Sequence, residues 1–265
     1  MTRARVGRAA GAAVILALYG FLLAPLIPVV VVSFSNEAVL SFPPQSWGVR
    51  WYVALLDNQK FMTAFRVSLT IALTVTAISL AAGLPAAFAV ARLQFPGRDA
   101  LYALFTAPLL LPSIVLGLAL LLVLVRLRLT GSYPGLIVAH LVVTLPYVVR
   151  IIATALGTLP ADVEAAAASL GASPARVIRR VTLPLMLPAM LGAASLAFLV
   201  SFDEVVISLF VVGARLTTLP VEIYNYVEYR TDPQIAALSV VLIAITVAGV
   251  LLLERTVGFL RAFGR

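Results

Sequence analysis

Hydrophobic and polar positions along this chain alternate in long blocks rather than with the short period of an amphipathic surface helix or strand. Six apolar stretches cover residues 11–34, 63–91, 100–125, 135–155, 185–212 and 235–253, and short polar connections separate them. Each stretch is close to or above the roughly 20 residues needed to cross about 30 Å of hydrocarbon. The pattern predicts an all-α integral membrane protein with six transmembrane helices, forming one membrane domain over residues 1–265.

The composition supports the bilayer as the solvent of this chain, with 62% hydrophobic residues, 11% charged residues and a mean hydropathy of +1.10. The net charge of +8 comes mainly from arginines at the ends of the stretches, which is a signal of topology rather than of nucleic-acid binding. If the N-terminus is inside, the inner segments collect most of the 19 lysine and arginine residues. We therefore predict cytoplasmic N- and C-termini.

The first apolar stretch follows Arg3, Arg5 and Arg8, as the core of a secretory signal peptide would. A signal core is only about 7 to 15 residues long, and this stretch is longer. We predict that it stays in the protein as the first transmembrane helix.

The connection over residues 157–184 is too polar to cross a membrane, and it predicts two short helices. Pro160 suits a first helical turn, Gly171 suits a left-handed stop, and Ser173 with Pro174 suits a new start. Pro184 is expected to end the second helix.

The second of these short helices carries its basic residues on one side. Arg176, Arg179 and Arg180 are spaced to share a face, and another face carries Val177, Ile178 and Val181. The stretch could be a solvated loop, a helix-turn-helix that reads DNA, or a docking element for a cytoplasmic protein. The membrane spans on both sides argue against docking in a DNA groove, so no nucleic-acid partner is expected.

Residues 164–184 read EAAAASLGASPARVIRRVTLP and resemble the EAA loop of ABC importer permeases. That pattern is Glu-Ala-Ala, three residues, Gly, nine residues, Ile or Val, one residue, and Leu-Pro. Counting from Gly171 places Val181 and Pro184 at the motif positions. Counting back places Ala165 and Ala166 at the start of the motif, so that Glu164 stands one residue early. Residues 50–57, 140–150, 201–213 and 218–220 resemble the spermidine/putrescine-type branch of these permeases.

The resemblance implies a type I ABC importer permease fold in a bacterial inner membrane. It also implies an ATPase-coupling loop made of Glu164, Ala165, Ala166, Gly171, Arg176, Arg179 and Pro184. The expected partners are a second permease subunit, a dimer of ATPase subunits, an extracytoplasmic solute-binding protein and membrane lipid. A polyamine or similar small cationic solute is the favoured cargo, although relatives also carry iron, thiamine, opines or organophosphonates.

The sequence argues against catalysis by this chain itself. A phosphate-binding loop needs Gly-x-x-x-x-Gly-Lys-Ser/Thr, and the only lysine, Lys60, follows Asn58 and Gln59. ATP and Mg²⁺ are therefore expected on a partner chain, with no cofactor here. One histidine and no cysteine also exclude a His-Glu-x-x-His or thiolate zinc site. The alternative function is a self-contained secondary transporter or channel.

Polar residues inside the apolar stretches are the remaining candidates. Asp203 and Glu204 form either a structural ion pair, with Arg215 or with a partner subunit, or a cation-attracting gate in which Ser201 continues a polar strip. His140 is expected to be an interhelical hydrogen-bond partner rather than a proton relay. Pro108 and Pro112 are expected to kink the third helix rather than break it.

Overall fold

The computed structural model describes the backbone of residues 2–257 and the side chains of residues 11–160, 162–249 and 251. All its regular elements within that range are helical, as predicted. They are α1 (Thr2–Leu23), α2 (Leu26–Ser33), α3 (Arg50–Asp57), α4 (Gln59–Arg92), α5 (Arg98–Thr106), a 3₁₀ turn (Ala107–Leu110), α6 (Ser113–Arg126), α7 (Tyr133–Thr158), α8 (Ala161–Ser169), α9 (Pro174–Val177), a π-turn (Ile178–Thr182), α10 (Leu183–Phe202), α11 (Val206–Val211), α12 (Leu219–Tyr229) and α13 (Gln234–Val257).

Three of these helices are long and apolar enough to cross a membrane: α4, α7 and the continuous helix Pro174–Phe202. Two further candidates are bent pairs, α1 with α2 and the segment Arg98–Leu110 with α6. The first four apolar stretches thus each lie on a long helix or a bent pair. The fifth, predicted as one continuous span over residues 185–212, lies on α10 and α11, which are separated by a break after Phe202. The sixth lies on α13, whose described apolar part is Gln234–Gly249, and its predicted end at Leu253 lies outside the described side chains.

The third apolar stretch is broken rather than kinked, so the expectation for its prolines was wrong. The two helical segments meet at an angle of 108°. Pro112 follows Leu111, and a proline disfavours helical backbone in the residue before it. Leu111 has φ −91° and ψ 139°, and Pro112 itself has ψ 132°, so two successive residues are extended.

Residues 60–222 belong to one of two compact units. Its core contains two apolar clusters made by α4, α6, α7, α10 and α11. The first consists of Val67, Ile71, Val75, Leu124, Leu136, Ala139, Ile207 and Val211, and the second of Ala87, Val148, Val149, Ile152, Leu156, Met186, Ala193 and Ala197. Small residues let the helices approach closely. A Cβ atom on Gly83 of α4 would lie only 2.7 Å from Val148 of α7.

A buried polar layer lies between these two clusters along α4 and α7. The hydroxyl oxygens of Ser79 in α4 and Thr144 in α7 are 2.8 Å apart, and Thr144 also donates to the carbonyl of His140. His140 contacts Ser201 and Ser208, so the layer extends to α10 and α11. All its side chains are buried and hydrogen-bonded, as polar groups inside an apolar environment must be.

The other unit comprises residues 2–59 with 223–252. Its segment between α2 and α3 folds around Glu37, whose carboxylate accepts hydrogen bonds from the Ser41 hydroxyl and from the backbone N–H groups of Gln45 and Ser46. The bond from Ser41, followed by that from Gln45, lowers the pKa of Glu37. The backbone N–H of Leu40 donates to the carbonyl of Thr231, which ties this segment to the chain between α12 and α13.

The predicted orientation depends in part on arginines at the two ends of the chain. The side chains of Arg3, Arg5, Arg8, Arg255, Arg261 and Arg265, on which part of the predicted orientation depends, lie outside the described residues. The cytoplasmic placement of both ends therefore stays a prediction.

Candidate functional site

The loop over residues 157–184 turns sharply at Gly171, as the sequence predicts. After α8, the N–H of Gly171 donates to the carbonyl of Ala168, and the N–H of Ala172 donates to the carbonyl of Ala167. This pair of bonds is a Schellman motif, which needs a left-handed residue directly after the helix. Gly171 has φ +83°, and a Cβ atom there would have no neighbour within 4 Å. The glycine is therefore required by backbone conformation and not by lack of space.

The second helix of the loop begins as predicted but does not end at Pro184. Ser173 is the N-cap and Pro174 the first helical residue, although the Ser173 side chain makes no capping bond. The chain then passes through the π-turn into α10, and the whole helix Pro174–Phe202 is continuous. The N–H of Leu183 donates to the carbonyl of Ile178, five residues back. Pro184 is tolerated because it lies in the first turn of α10, directly after this change of hydrogen-bond register.

The basic face of the loop is exposed. Arg176, Arg179 and Arg180, with Ala175, line a cavity of about 490 Å³. Val177 on the opposite face is buried, and Ile178 and Val181 are half-buried, so the predicted division between a packing face and a free face is confirmed. Ala165, Ala166, Gly171 and Pro184 are exposed as well.

Glu164 differs from the other loop residues because it is half-buried and its carboxylate contacts its own chain. Oε1 accepts a hydrogen bond of 2.7 Å from the Thr182 hydroxyl. Oε2 lies 3.5 Å from Nη2 of Arg92, the last residue of α4. Arg92 also donates to the carbonyl of Leu159 at 3.4 Å. The glutamate thus joins α8 to α4 and to the π-turn.

Asp203 and Glu204 lie at a break in the fifth apolar stretch, between α10 and α11. Asp203 is the C-cap of α10 and is exposed. Glu204 is half-buried, and its Oε1 accepts a 2.9 Å hydrogen bond from the N–H of Ile207 in the first turn of α11. Neither carboxylate forms an ion pair with Arg215 within the described part of the chain. The two carboxylates thus have different environments, since Asp203 is exposed and Glu204 accepts a hydrogen bond from α11.

Ser201 does not share a surface with Asp203. It is buried, and its hydroxyl oxygen lies 2.9 Å from Nδ1 of His140. Nε2 of the same imidazole lies 3.0 Å from the hydroxyl oxygen of Ser208. His140 is thus an interhelical hydrogen-bond partner, as predicted. It bridges the last turn of α10 and the first turns of α11, on the two sides of the break.

Sequence reasoning missed Arg92, Thr182 and Ser208 as members of these sites. The one signal for Arg92 in the sequence is its position directly after the apolar stretch 63–91. Nothing local marks Thr182, because its direction depends on the π-turn. Within the described residues, no group of three or more histidine or acidic side chains could hold a metal ion.

Comparison with known proteins adds evidence from most of the chain. A family model described as a binding-protein-dependent transport system inner membrane component matches residues 79–261. The putrescine transport system permease protein PotI of Escherichia coli is 34% identical, over 85% of this chain and 82% of that protein. The spermidine/putrescine transport system permease protein PotC of Haemophilus influenzae is 32% identical, over 88% and 91%. The putative 2-aminoethylphosphonate transport system permease protein PhnV of Salmonella typhimurium is 31% identical, over 94% of both chains.

Solved structures share the fold at lower identity. A chain of a bacterial ABC transporter involved in the import of the acidic polysaccharide alginate matches with a TM-score of 0.71 and 15% identity, over 95% of this chain and 96% of that chain. A chain of the MetNI methionine ABC transporter in an inward-facing conformation matches with a TM-score of 0.58 and 20% identity, over 76% and 97%. These matches concern the fold.

Proposed function

Because this chain belongs to the family of inner membrane components of binding-protein-dependent transport systems, we propose that it is a subunit of an importer for a polyamine or similar cationic solute. It is a permease of the bacterial inner membrane and is not itself catalytic. The alternative function, a self-contained secondary transporter or channel, is not expected for a member of this family. The single observation that carries the proposed cargo is the 34% identity with a putrescine permease over 85% of the chain.

In the proposed assembly this chain has six membrane spans and cytoplasmic termini. It pairs with a second permease subunit above a dimer of ATPases, and a solute-binding protein delivers cargo from outside. The exposed basic face of Arg176, Arg179 and Arg180 supports docking of an acidic ATPase surface, because three exposed positive charges on one helix favour a partner of opposite charge. Ala165, Ala166, Gly171 and Pro184 complete the exposed docking loop.

Asp203 is the residue that we assign to an outer gate for a cation. Its carboxylate is exposed at the C-terminal end of α10, where the helix dipole adds partial negative charge. A carboxylate at membrane depth costs about 2.5 to 3.5 kcal/mol on insertion scales, so it is expected to face water, cargo or a partner. Glu204 and Ser201 support this gate indirectly. Glu204 accepts a hydrogen bond from the first turn of α11, and Ser201 contacts His140.

The chemistry of the cargo can be narrowed by what the relatives' names share. Putrescine, spermidine and 2-aminoethylphosphonate all carry a primary amine that is protonated at neutral pH, and a carboxylate such as Asp203 suits that group. The phosphonate of the third compound has the opposite charge and needs a basic partner. A site built for polyamines should therefore select two or more separated ammonium groups over one.

The proposed function is tested in two steps. The tagged chain is purified from its native membranes in mild detergent, and proteins that accompany it are identified by mass spectrometry. We expect an ATPase and a second permease. Uptake of labelled putrescine is then measured in cells lacking other polyamine importers, with unlabelled spermidine or 2-aminoethylphosphonate as competitors. Putrescine uptake that depends on this chain and that spermidine competes for supports a polyamine carrier, whereas no putrescine uptake by an assembled complex contradicts it.

A further inference from the structure

We propose that Arg92, Glu164 and Thr182 form an intramolecular clamp that fixes the docking loop to two membrane helices. In this assignment Glu164 is a positioning residue and not a direct contact to the ATPase. The proposal rests on the proposed function, because it takes the loop over residues 157–184 as the place where the ATPase pushes.

The geometry of Glu164 carries the inference. Both carboxylate oxygens have a partner in the same chain, at 2.7 Å from the Thr182 hydroxyl and 3.5 Å from Nη2 of Arg92. Thr182 is 1% exposed, and the side chains of Arg92 and Glu164 are 21% and 23% exposed. The carboxylate is therefore directed into the permease, away from the exposed arginine face. A cytoplasmic partner would have to displace these contacts to bind Glu164 directly.

The clamp connects parts of the chain that are distant in sequence. Arg92 ends α4, and it donates to the carbonyl of Leu159 in the connection between α7 and α8. Thr182 ends the π-turn and leads directly into α10. A displacement of α8 therefore acts on the inner end of α4 and on the start of α10 together. Without the clamp, α8 would be held mainly by its covalent ends and by local packing, so the same displacement would move the spans less.

The π-turn orients the Thr182 side chain toward Glu164. A hydrogen bond that spans five residues rotates the following side chains relative to an α-helix, and such turns are rare and frequently found at functional sites. Here the turn ends at Thr182, whose buried hydroxyl then reaches Glu164. Arg179 and Arg180, in the same turn, remain exposed. One short segment thus has a side chain for the clamp and side chains for a partner.

Asp162 provides a matched control on the same helix. It lies in the first turn of α8, as Glu164 does, and both carboxylates interact favourably with the positive end of the helix dipole. Asp162 is exposed and takes no part in the clamp. Removal of either residue changes the net charge equally, but only removal of Glu164 releases Arg92 and Thr182.

The first measurement concerns the permease without its partners. Because the chain has no cysteine, spin labels can be attached at Leu93→Cys and Ala165→Cys, two exposed positions beside the clamp. We expect the distance distribution between the labels to be narrow in the parent and broad in Glu164→Ala, Glu164→Gln and Thr182→Val. Asp162→Ala should keep it narrow. Equal distributions for the Glu164 variants and Asp162→Ala would overturn the clamp.

The second measurement uses the whole complex in proteoliposomes, with putrescine as the probe. We expect Glu164→Ala, Arg92→Ala and Thr182→Val to retain the ATPase and to lower putrescine uptake per ATP hydrolysed by about 5-fold or more, the size of a typical coupling between sites. Thr182→Ser should restore the parent value because it keeps the hydroxyl. The double variant Arg92→Ala, Glu164→Ala should be no worse than the worse single variant, since both remove one shared contact.

The two proposals fail in different ways. If Glu164→Ala releases the ATPase while Arg92→Ala and Thr182→Val retain it, Glu164 is a direct docking contact and the clamp is wrong. If the parent chain binds no ATPase but the distance distribution between the labels is still broader in Glu164→Ala than in the parent, the clamp stands and the proposed function fails.

Discussion

Nε2 of His140, in α7, lies 3.0 Å from the hydroxyl oxygen of Ser208, which is on the α11 side of the break that separates α10 from α11. The other ring nitrogen contacts Ser201, which is on the α10 side of the break. In a neutral imidazole one nitrogen donates and the other accepts, and hydroxyl groups can match either role. A single buried side chain therefore fixes both ends of an interrupted helix and, through them, the position of Asp203.

Replacing His140 should destabilise the break. We expect His140→Leu to leave the Ser201 and Ser208 hydroxyls without this partner and to cost about 1 to 2 kcal/mol, in the range of interhelical hydrogen bonds in membranes. Thermal unfolding of the purified protein in detergent gives the comparison. The triple variant His140→Leu, Ser201→Ala, Ser208→Ala removes every member of the set. It should recover much of the loss, because no polar group is then left unpaired. No recovery would show that packing of the imidazole, and not its hydrogen bonds, holds the break.

The turn at Gly171 offers a second prediction. Gly171→Ala should strain a backbone at φ +83° and cost about 1 kcal/mol, whereas Gly171→Asn should cost less because asparagine tolerates the left-handed conformation. Gly157→Ala is the control, since a Cβ atom at that helical position also has open space around it. We expect it to be neutral or stabilising. ATPase co-purification with each variant measures the effect on docking, and equal binding by both alanine variants would contradict a role for the turn.

Local features of the loop were predictable because the residues that determine them are adjacent. The Schellman motif needs a glycine after the C-cap of α8, where Gly171 follows Leu170, and the arginine face needs only helical spacing. The apolar stretches were predictable for a similar reason. The hydrocarbon thickness sets the length of a spanning helix, and a run of apolar residues of that length can be read directly from the sequence.

Features that depend on distant residues were not predictable. The direction of the Glu164 carboxylate depends on Arg92, in another helix, and on a π-turn that no local sequence pattern predicts. The break at Leu111 and Pro112 has a local cause, but the same two residues are compatible with a kink when neighbouring helices satisfy the freed backbone groups. Only the packed structure decides between a kink and a break.

Topology gives a third prediction, and the absence of cysteine makes it clean to test. Ala175 and Ala214 are both exposed, on the second helix of the docking loop and in the turn between α11 and α12 respectively. With cytoplasmic termini, an impermeant thiol reagent added to intact cells should label Ala214→Cys and spare Ala175→Cys. Permeabilised cells are the control, in which both should react. Labelling of Ala175→Cys alone in intact cells would invert the orientation, and labelling of both would contradict the number of spans between them.

The two acidic residues at the helix break should behave differently, because they have different contacts. Asp203 is exposed at the end of α10, whereas Glu204 accepts a hydrogen bond from the N–H of Ile207. Asp203→Asn keeps the shape and removes the charge, so we expect putrescine binding to the assembled importer to weaken by about 1.5 to 3 kcal/mol, the range for hydrogen bonds to charged groups. Glu204→Gln keeps an acceptor oxygen for Ile207 and should change binding little. Glu204→Ala should instead lower thermal stability by about 1 kcal/mol, as the loss of a helix cap does.

The deciding measurement for this pair is the KM for putrescine uptake, normalised to the amount of assembled complex. A charge that attracts the cation at the entrance should raise the KM of Asp203→Asn and leave the yield of complex unchanged. If Asp203 instead pairs with an arginine of a partner subunit, the yield should fall and the KM of the remaining complexes should be normal, because breaking such a pair leaves an uncompensated charge at the subunit contact.

Salt dependence separates the two cases further. Attraction of a diffusing cation to an exposed carboxylate weakens with ionic strength, so the KM difference between the parent and Asp203→Asn should shrink at high salt. A difference that persists at high salt, or no difference at any salt concentration, would rule out the electrostatic gate.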